Sequence, residues 1–430
     1  MPTRVAPFGE YRRRVVDGEL DLLLCDLAAI SLEGPRGVGK TSTARRRGGD
    51  VFRLDDPAAL EIAKAQPERL TRGRTPIVID EWQRFSFSWD LVRRAVDDAP
   101  APGRFILTGS AGPSTGPTHT GAGRIVALRM RPMTLPERGV ASPAVSISAL
   151  LTGAGADVAG TSEVTLEQYT AEMLAGGFPG MRHESGRAQR AALGGYLDRI
   201  VDSEVPELGM ELRRPQTLRR WLQAYAAATA TTASYETIRD AAAPGEDGKP
   251  AKNTAAAYRE VLERIWLLDP LPAWSPSTNR LARLTYSPKH HLADPALAAR
   301  LAGLDAGALL RGEGPAATPR DGTFLGALFE SLATLSVRVF AQAAEARVFH
   351  FRTRGGEHEV DLIVERGDGR VVALEVKLAA SVGDEDVRQL AWLRRQIGDE
   401  MIDAVILTTG PVAYRRRDGV AVVPLALLGP

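Results

Sequence analysis

Of the 54 basic residues in this 430-residue chain only six are lysine: Lys40, Lys64, Lys249, Lys252, Lys289 and Lys377. Arg serves almost everywhere a plain positive charge would do, and two of the six lysines, Lys40 and Lys377, sit in motifs that need a compact ammonium. Lys40 belongs to Gly34-Pro35-Arg36-Gly37-Val38-Gly39-Lys40-Thr41, which fits G-x-x-x-x-G-K-[ST]. An apolar run (28–32) precedes it, and a helix-compatible stretch opening with Ser42 follows. The glycines would let backbone N–H groups turn inward onto phosphate oxygens. Lys40 would reach the β- and γ-phosphates and the Thr41 hydroxyl would bind Mg²⁺. ATP and Mg²⁺ are the expected ligands.

Forty residues on, Pro76-Ile77-Val78-Ile79-Asp80-Glu81 is an apolar strand ending in two carboxylates. Asp80 is expected to hold Mg²⁺ and Glu81 to polarise the attacking water. The run Phe105-Ile106-Leu107-Thr108-Gly109-Ser110 ends in hydroxyls. A strand lying between those of the P-loop and the acidic pair would bring Thr108 or Ser110 beside the γ-phosphate. An ordinary helix-capping role is the alternative for both hydroxyls. Arg124 opens the next strand and is a candidate arginine finger, in cis or toward a neighbouring subunit. A surface Arg is the bland alternative.

A second constellation lies near the end. Residues 359–365 and 371–377 alternate as a hairpin, and Gly367-Asp368-Gly369 supplies its turn. A turn centred on Asp368 sets Asp361 opposite Glu375, with Lys377 on the Glu375 face. Two carboxylates and an ammonium then converge by register alone. This is similar to the D…(E)-x-K arrangement of the PD-(D/E)xK nuclease fold. The resemblance implies one or two Mg²⁺ or Mn²⁺ ions on Asp361 and Glu375, with Lys377 orienting the water. Glu330 matches the acidic residue that such folds place on their first helix, and Gln389 on the following helix is a weaker candidate. The alternative is a cross-strand salt bridge on a solvated face, which the facing like charges disfavour.

The elements that must position these groups fall into zones. Short apolar runs at 28–32, 51–54, 77–79, 105–107 and 125–128 alternate with helical stretches, which predicts a parallel sheet covered by helices. Residues 110–123 read as a loop, and 140–162, rich in Gly, Ala and Ser, as a linker or insertion. Helical patterns dominate 166–301, most clearly at 218–230 and 253–268. A strand is expected at 281–286, a helix at 324–340, strands at 346–351, 359–365 and 371–377, a helix at 385–396 and a strand at 404–407. The expected domains are 1–150 (P-loop), 151–210 (helical lid or connector), 211–310 (middle) and 311–430 (C-terminal α/β).

Composition narrows the function classes. A net charge of +1 gives no global field toward nucleic acid or membrane. One cysteine, Cys25, excludes a disulfide framework and a cysteine zinc cluster, and reads as a small buried hydrophobe. The start has no apolar signal core, and the run 20–32 is broken by Asp21 and Asp26, so a cytoplasmic chain without a membrane partner is expected. Residues 235–241 and 253–268 would suit a helix–turn–helix with 270–286 as a wing. Between 211 and 290, however, 12 basic residues face 8 acidic ones, too small an excess to assert DNA binding. The tryptophans at 266–274 read as core. His290 and His291 beside Asp294 do not read as a metal site, since adjacent strand residues point to opposite faces.

The order of the motifs resembles the AAA+ ATPases, and most of all a prokaryotic family that joins an AAA+ domain to a C-terminal domain of unknown function (DUF4143 type). The residues that carry it are GPRGVGKT (34–41), IVIDEWQ (77–83), FILTGS (105–110), GRIVALRMRPMTL (123–135), GGFPG (176–180), YLDRIVDSEVPEL (196–208), SPKHHLADPALA (287–298), GALFESL (326–332), EVDLIVE (359–365) and ALEVK (373–377). They span nearly the whole chain. The resemblance implies an α/β fold: an AAA+-like parallel sheet with helices on both faces, a helical, winged-helix-like middle, and a PD-(D/E)xK-like end. The expected function is Mg²⁺-dependent ATP hydrolysis coupled to a nuclease-like domain that acts on or docks to DNA or RNA. The alternative is an ATP-switched regulator with an inactive nuclease-like module, whose partner is a protein or DNA. Assembly into a homo-oligomer is compatible with either.

Overall fold

A computed structural model describes residues 11–110, 121–153, 156–184, 186–243, 249–276, 286–311 and 323–430. The expected runs form strands β1 (Ala29–Glu33), β2 (Val51–Arg53), β3 (Ile77–Asp80), β4 (Phe105–Gly109) and β5 (Val126–Arg129). They pair in parallel in the order β2-β3-β4-β1-β5. Period-two alternation gives this sheet two apolar faces. Ile77, Ile79, Phe105 and Leu107 pack on Trp82, Trp89 and Val92. Ile30 and Leu32 meet Val16 and Leu20 on the other side, where Val78 and Ile106 meet Ala44 of the helix Lys40–Arg45. Asp80 and Thr108 continue the alternation of Val78 and Ile106, so both project toward that helix.

The second sheet has the order β7-β12-β13-β11-β10-β9-β8. Its strands are β7 (Gly160–Thr161), β8 (Arg347–Arg352), β9 (Glu359–Glu365), β10 (Val371–Val376), β11 (Met401–Thr408), β12 (Val412–Arg415) and β13 (Ala421–Pro424). The helix Thr323–Ala343 covers one face through Leu328, Leu332, Phe340 and their neighbours. The helix Arg388–Ile397 covers the other through Leu390 and Leu393. Helix Thr323–Ala343 contains a stretch long and apolar enough to cross a membrane, but most of it is buried in this core.

Several sequence expectations change here. The segment 140–162 is no linker: β6 (Val145–Ser146) pairs with β14 (Leu428–Gly429), and β7 pairs with β12. Two-residue strands carry no periodicity, and their partners lie more than 250 residues away. Strands β12 and β13 lie beyond the strands expected from the sequence. Cys25 is exposed, because it caps a surface helix, Val15–Leu24, instead of entering the core. The helices Tyr235–Ala241 and Lys252–Arg264 form as expected. The strand expected at 281–286 lies outside the described residues except for Tyr286. Trp274 is core. His290 and His291 bond to the Ala233 carbonyl and the Ser331 hydroxyl, and Asp294 accepts from the backbone of Gly177 and Ala296, so the three form no metal cluster.

Candidate functional site

The P-loop leaves β1 at Gly34 and enters the helix Lys40–Arg45. A Cβ at Gly34 would stand 2.1 Å from the Met130 carbonyl oxygen, so only glycine fits. Gly39 holds φ at +108°, which side chains rarely tolerate. The Lys40 ammonium is folded onto its own loop, donating to the carbonyls of Gly34 (2.7 Å) and Pro35 (2.9 Å). Burial pulls Lys40 down to about 8, although Glu81 opposes the shift.

Strand order delivers the partners. β4 lies between β1 and β3, so the ends of all three meet beside the loop. The Thr41 hydroxyl donates to Asp80 Oδ1 at 2.7 Å, and the Thr108 hydroxyl donates to the same oxygen. A hydroxyl and a carboxylate at the start of the P-loop helix are a hard oxygen set that suits Mg²⁺. Glu81 takes a left-handed backbone conformation (φ +56°), and Gln83 donates to its carboxylate. Non-glycine residues in that region concentrate where geometry is held for function. Ser110 follows β4, half-buried, at the edge of the described residues.

A cavity of about 430 Å³ lies over the loop, bounded by Lys40, Thr41, Ser42, Glu81, Met130 and Pro179, among others. Its roof comes from two distant places: Tyr11, Arg12 and Arg14 before the sheet, and Pro179, Gly180, Arg182 and His183 after it. The GGFPG stretch docks through Asp294, which accepts from Gly177 N at 2.6 Å, and through Met133 N, which donates to the Gly177 carbonyl at 2.8 Å. Arg14 also braces the loop, donating to the carbonyls of Val38 and Arg131 and to the Glu137 carboxylate.

Arg124 is not at this site. β5 runs parallel to β1, and Arg124 precedes it, at the sheet edge opposite the P-loop. Its guanidinium pairs with Asp97 at 2.8 Å. A finger in cis is therefore excluded by strand direction.

The second constellation is assembled in part. The register of β9 and β10 is the expected one: Val371 pairs with Glu365 and Leu374 with Leu362. Asp361 and Glu375 lie within hydrogen-bonding reach of each other, and Lys377 Nζ stands 3.5 Å from Glu375. Opposite β8, Phe349 pairs with Ile363 but Phe351 with Val360, so two residues, Asp361 and Leu362, face His350 alone. Such a bulge re-aims a side chain. Asp361 meets Lys289, which enters from the middle of the chain and was not expected. Lys289 Nζ lies 2.8 Å from each of Glu330, Glu359 and Asp361, and its side chain is 1% exposed.

An ammonium thus stands where the carboxylates would share a metal ion. Among the described residues no group of three or more His, Cys, Asp or Glu is arranged to hold one. The ions expected on Glu330, Asp361 and Glu375 would have to displace Lys289. Burial lowers the Lys289 ammonium, but its carboxylate partners outweigh that and hold it well above the usual range. Burial and Asp361 together push Glu330 up to about 8, and the same two causes raise Glu375. Asp361 is held below its usual value, because Lys289 overcomes the cost of burial. Gln389 bonds to His358 and does not join the cluster.

Residues 27–138 match an AAA domain, and residues 325–428 match a domain of unknown function (DUF4143). The chain thus carries an AAA-like region and, beyond it, a DUF4143-like region. Residues 166–308 match a further domain of unknown function (DUF8612). Over 373 residues the chain is 25% identical to an uncharacterized protein of Mycobacterium tuberculosis and to one of Mycobacterium bovis, covering 85% of this chain and 74% of each relative. A Walker-type ATPase of Pyrococcus abyssi shares 18% identity at a TM-score of 0.39, over 68% of this chain and 96% of that one. The DUF8612 region contributes to both sites. It carries Pro179 and Arg182 to the AAA cavity and Lys289 to the DUF4143 carboxylates. Lys289 had a sequence signal in the scarcity of lysine. Arg12, Arg14 and Arg182 had none in a chain this rich in arginine.

Proposed function

We propose that the protein is a Mg²⁺-dependent ATPase whose nucleotide cycle switches its C-terminal half, and that the DUF4143 sheet is a catalytically silent, nuclease-like module. The observation that carries the second part is Lys289, seated among Glu330, Glu359 and Asp361. In the AAA domain, Lys40 would leave the carbonyls of Gly34 and Pro35 for the β- and γ-phosphates. Thr41 and Asp80 would hold Mg²⁺, which when bound neutralises phosphate charge. Glu81 would accept the proton of the attacking water, and Thr108 would fix Asp80. The setting is cytoplasmic and the partner a protein. A homo-oligomer is the arrangement in which Arg124 can still serve, toward a neighbour.

A metal-dependent nuclease acting on DNA or RNA through Asp361, Glu375 and Lys377 is the competing reading, favoured by the β9–β10 register. It requires Lys289 to withdraw. Incubation with single- and double-stranded DNA and RNA in Mg²⁺ or Mn²⁺, with and without ATP, separates the two. We expect ATP turnover without strand cleavage, and Glu81→Gln should bind ATP while losing about 100-fold or more in kcat. Cleavage that disappears in Asp361→Ala and Lys377→Ala would establish the nuclease instead.

A further inference from the structure

Arg36 lines the cavity together with Lys40, Thr41 and Glu81. Its side chain is 47% exposed and forms an ion pair with Glu204, Nη1 to Oε1 at 3.2 Å. Glu204 is mostly buried and closes a π-helical turn, Ile200–Glu204, in the DUF8612 region. Turns of that kind recur at functional sites. Burial pushes the Glu204 carboxyl up, Arg36 draws it back, and Glu207 and Glu81 push it further. A guanidinium thus stands over the P-loop, held by a carboxylate in a setting unfavourable to its charge. A γ-phosphate, with more charge and three oxygens, matches the guanidinium fork better.

We propose that Arg36 is an arginine that contacts the γ-phosphate in cis, beside Lys40, and that Glu204 holds it until ATP binds. The exchange frees Glu204 and, with it, the turn that links the P-loop to the DUF8612 helices. During turnover the water oxygen bonds to the γ-phosphorus while the bond from that phosphorus to the β–γ bridging oxygen breaks. The electron pair leaves on ADP, the water proton passes to Glu81, and Arg36 stabilises charge on the transferred phosphoryl oxygens. Arg36 acts in this way only if the P-loop binds ATP; the state of the DUF4143 sheet does not enter.

The test uses the full chain and measures kcat, KM for ATP and affinity for ADP. Arg36→Ala should lower kcat about 100-fold while ADP affinity stays within about threefold, because ADP lacks the group that Arg36 holds. Glu204→Gln, which keeps the shape and removes the charge, should lower KM for ATP about threefold with kcat retained. The two partners of one ion pair then shift activity in opposite directions, which a merely structural bridge would not do. Affinity for a non-hydrolysable ATP analogue reads the same contact without turnover, and Arg36→Ala should weaken it about tenfold more than it weakens ADP. Equal weakening of ADP and the analogue would make Arg36 a brace of the loop and overturn the assignment. Retention of kcat in Arg36→Ala, or a loss in Glu204→Gln that matches Arg36→Ala, would overturn it too.

Discussion

Lysine is rare here, and three of the six lysines sit in buried or half-buried charge networks: Lys40 on the P-loop carbonyls, Lys289 among carboxylates and Lys377 beside Glu375. A point charge with three donors can enter a small shell of oxygens that a planar guanidinium would not fit. Lys40 is the most sensitive to pH, since burial pulls it down to about 8. Bound phosphates favour its charged form and raise it again. Nucleotide binding should therefore take up a proton above about pH 8, and affinity should fall as pH rises past that point. Calorimetric titrations at pH 7 and pH 9 in buffers of different ionisation enthalpy check this. Buffer-independent heats at pH 9 would show that Lys40 stays charged in the empty site.

At the scale of elements, one strand decides the chemistry of the second sheet. β9 keeps its register with β10 yet slips by one residue against β8, and the slip turns Asp361 toward Lys289. Replacing Lys289 by Met removes the cation and leaves the carboxylates facing one another. Breaking a buried pair in this way costs about 3–5 kcal/mol. Glu330 sets the pH dependence. It keeps its proton in the folded chain up to about 8 and loses it near the ordinary 4.5 when unfolded. That contribution is fully present below 4.5 and is lost as pH rises through 8. Denaturant melts should accordingly show the parent losing stability between pH 5 and pH 8, and Lys289→Met losing more at the upper end. Adding Asp361→Asn to Lys289→Met should restore part of the loss; a pH-independent deficit that Asp361→Asn does not relieve would argue for a packing defect alone.

Across the whole molecule, the AAA sheet, the middle and the DUF4143 domain meet at one carboxylate. Asp269 accepts from Arg131 at 2.8 Å and pairs with Arg338 at 3.0 Å, and Arg129 lies 3.8 Å away, stacked over Trp266. Burial would raise Asp269, but the three guanidinium groups reverse that and hold it far below the carboxylate range. Gln342 adds a second tie, donating to Glu19 and to the Arg129 carbonyl. Arg129 ends β5 and pairs in register with Glu33, the residue before the P-loop. Asp269→Asn leaves three cations without their anion, for an expected loss of about 3–5 kcal/mol. Scanning calorimetry should then resolve a separate transition for the AAA sheet, whereas one unchanged transition would mean that apolar contacts alone hold the three regions together.

The sequence by itself determined the local chemistry. The P-loop spacing, the carboxylates at the end of β3, the hydroxyl at the end of β4 and the β9–β10 register were legible, because each depends on neighbours a few residues apart or on a single turn. What lay beyond it was long-range. Lys289 meets Asp361 across 72 residues, Arg36 meets Glu204 across 168, and β6 (Val145–Ser146) meets β14 (Leu428–Gly429) from the far end of the chain. Arg124 looked usable until strand direction set it at the far edge from the P-loop. Periodicity and motif spacing record which face a residue takes; they carry no record of which distant charge will be packed against it. Only the tertiary structure decided that the acidic cluster holds an ammonium, and that the P-loop is closed over by residues from outside the AAA domain.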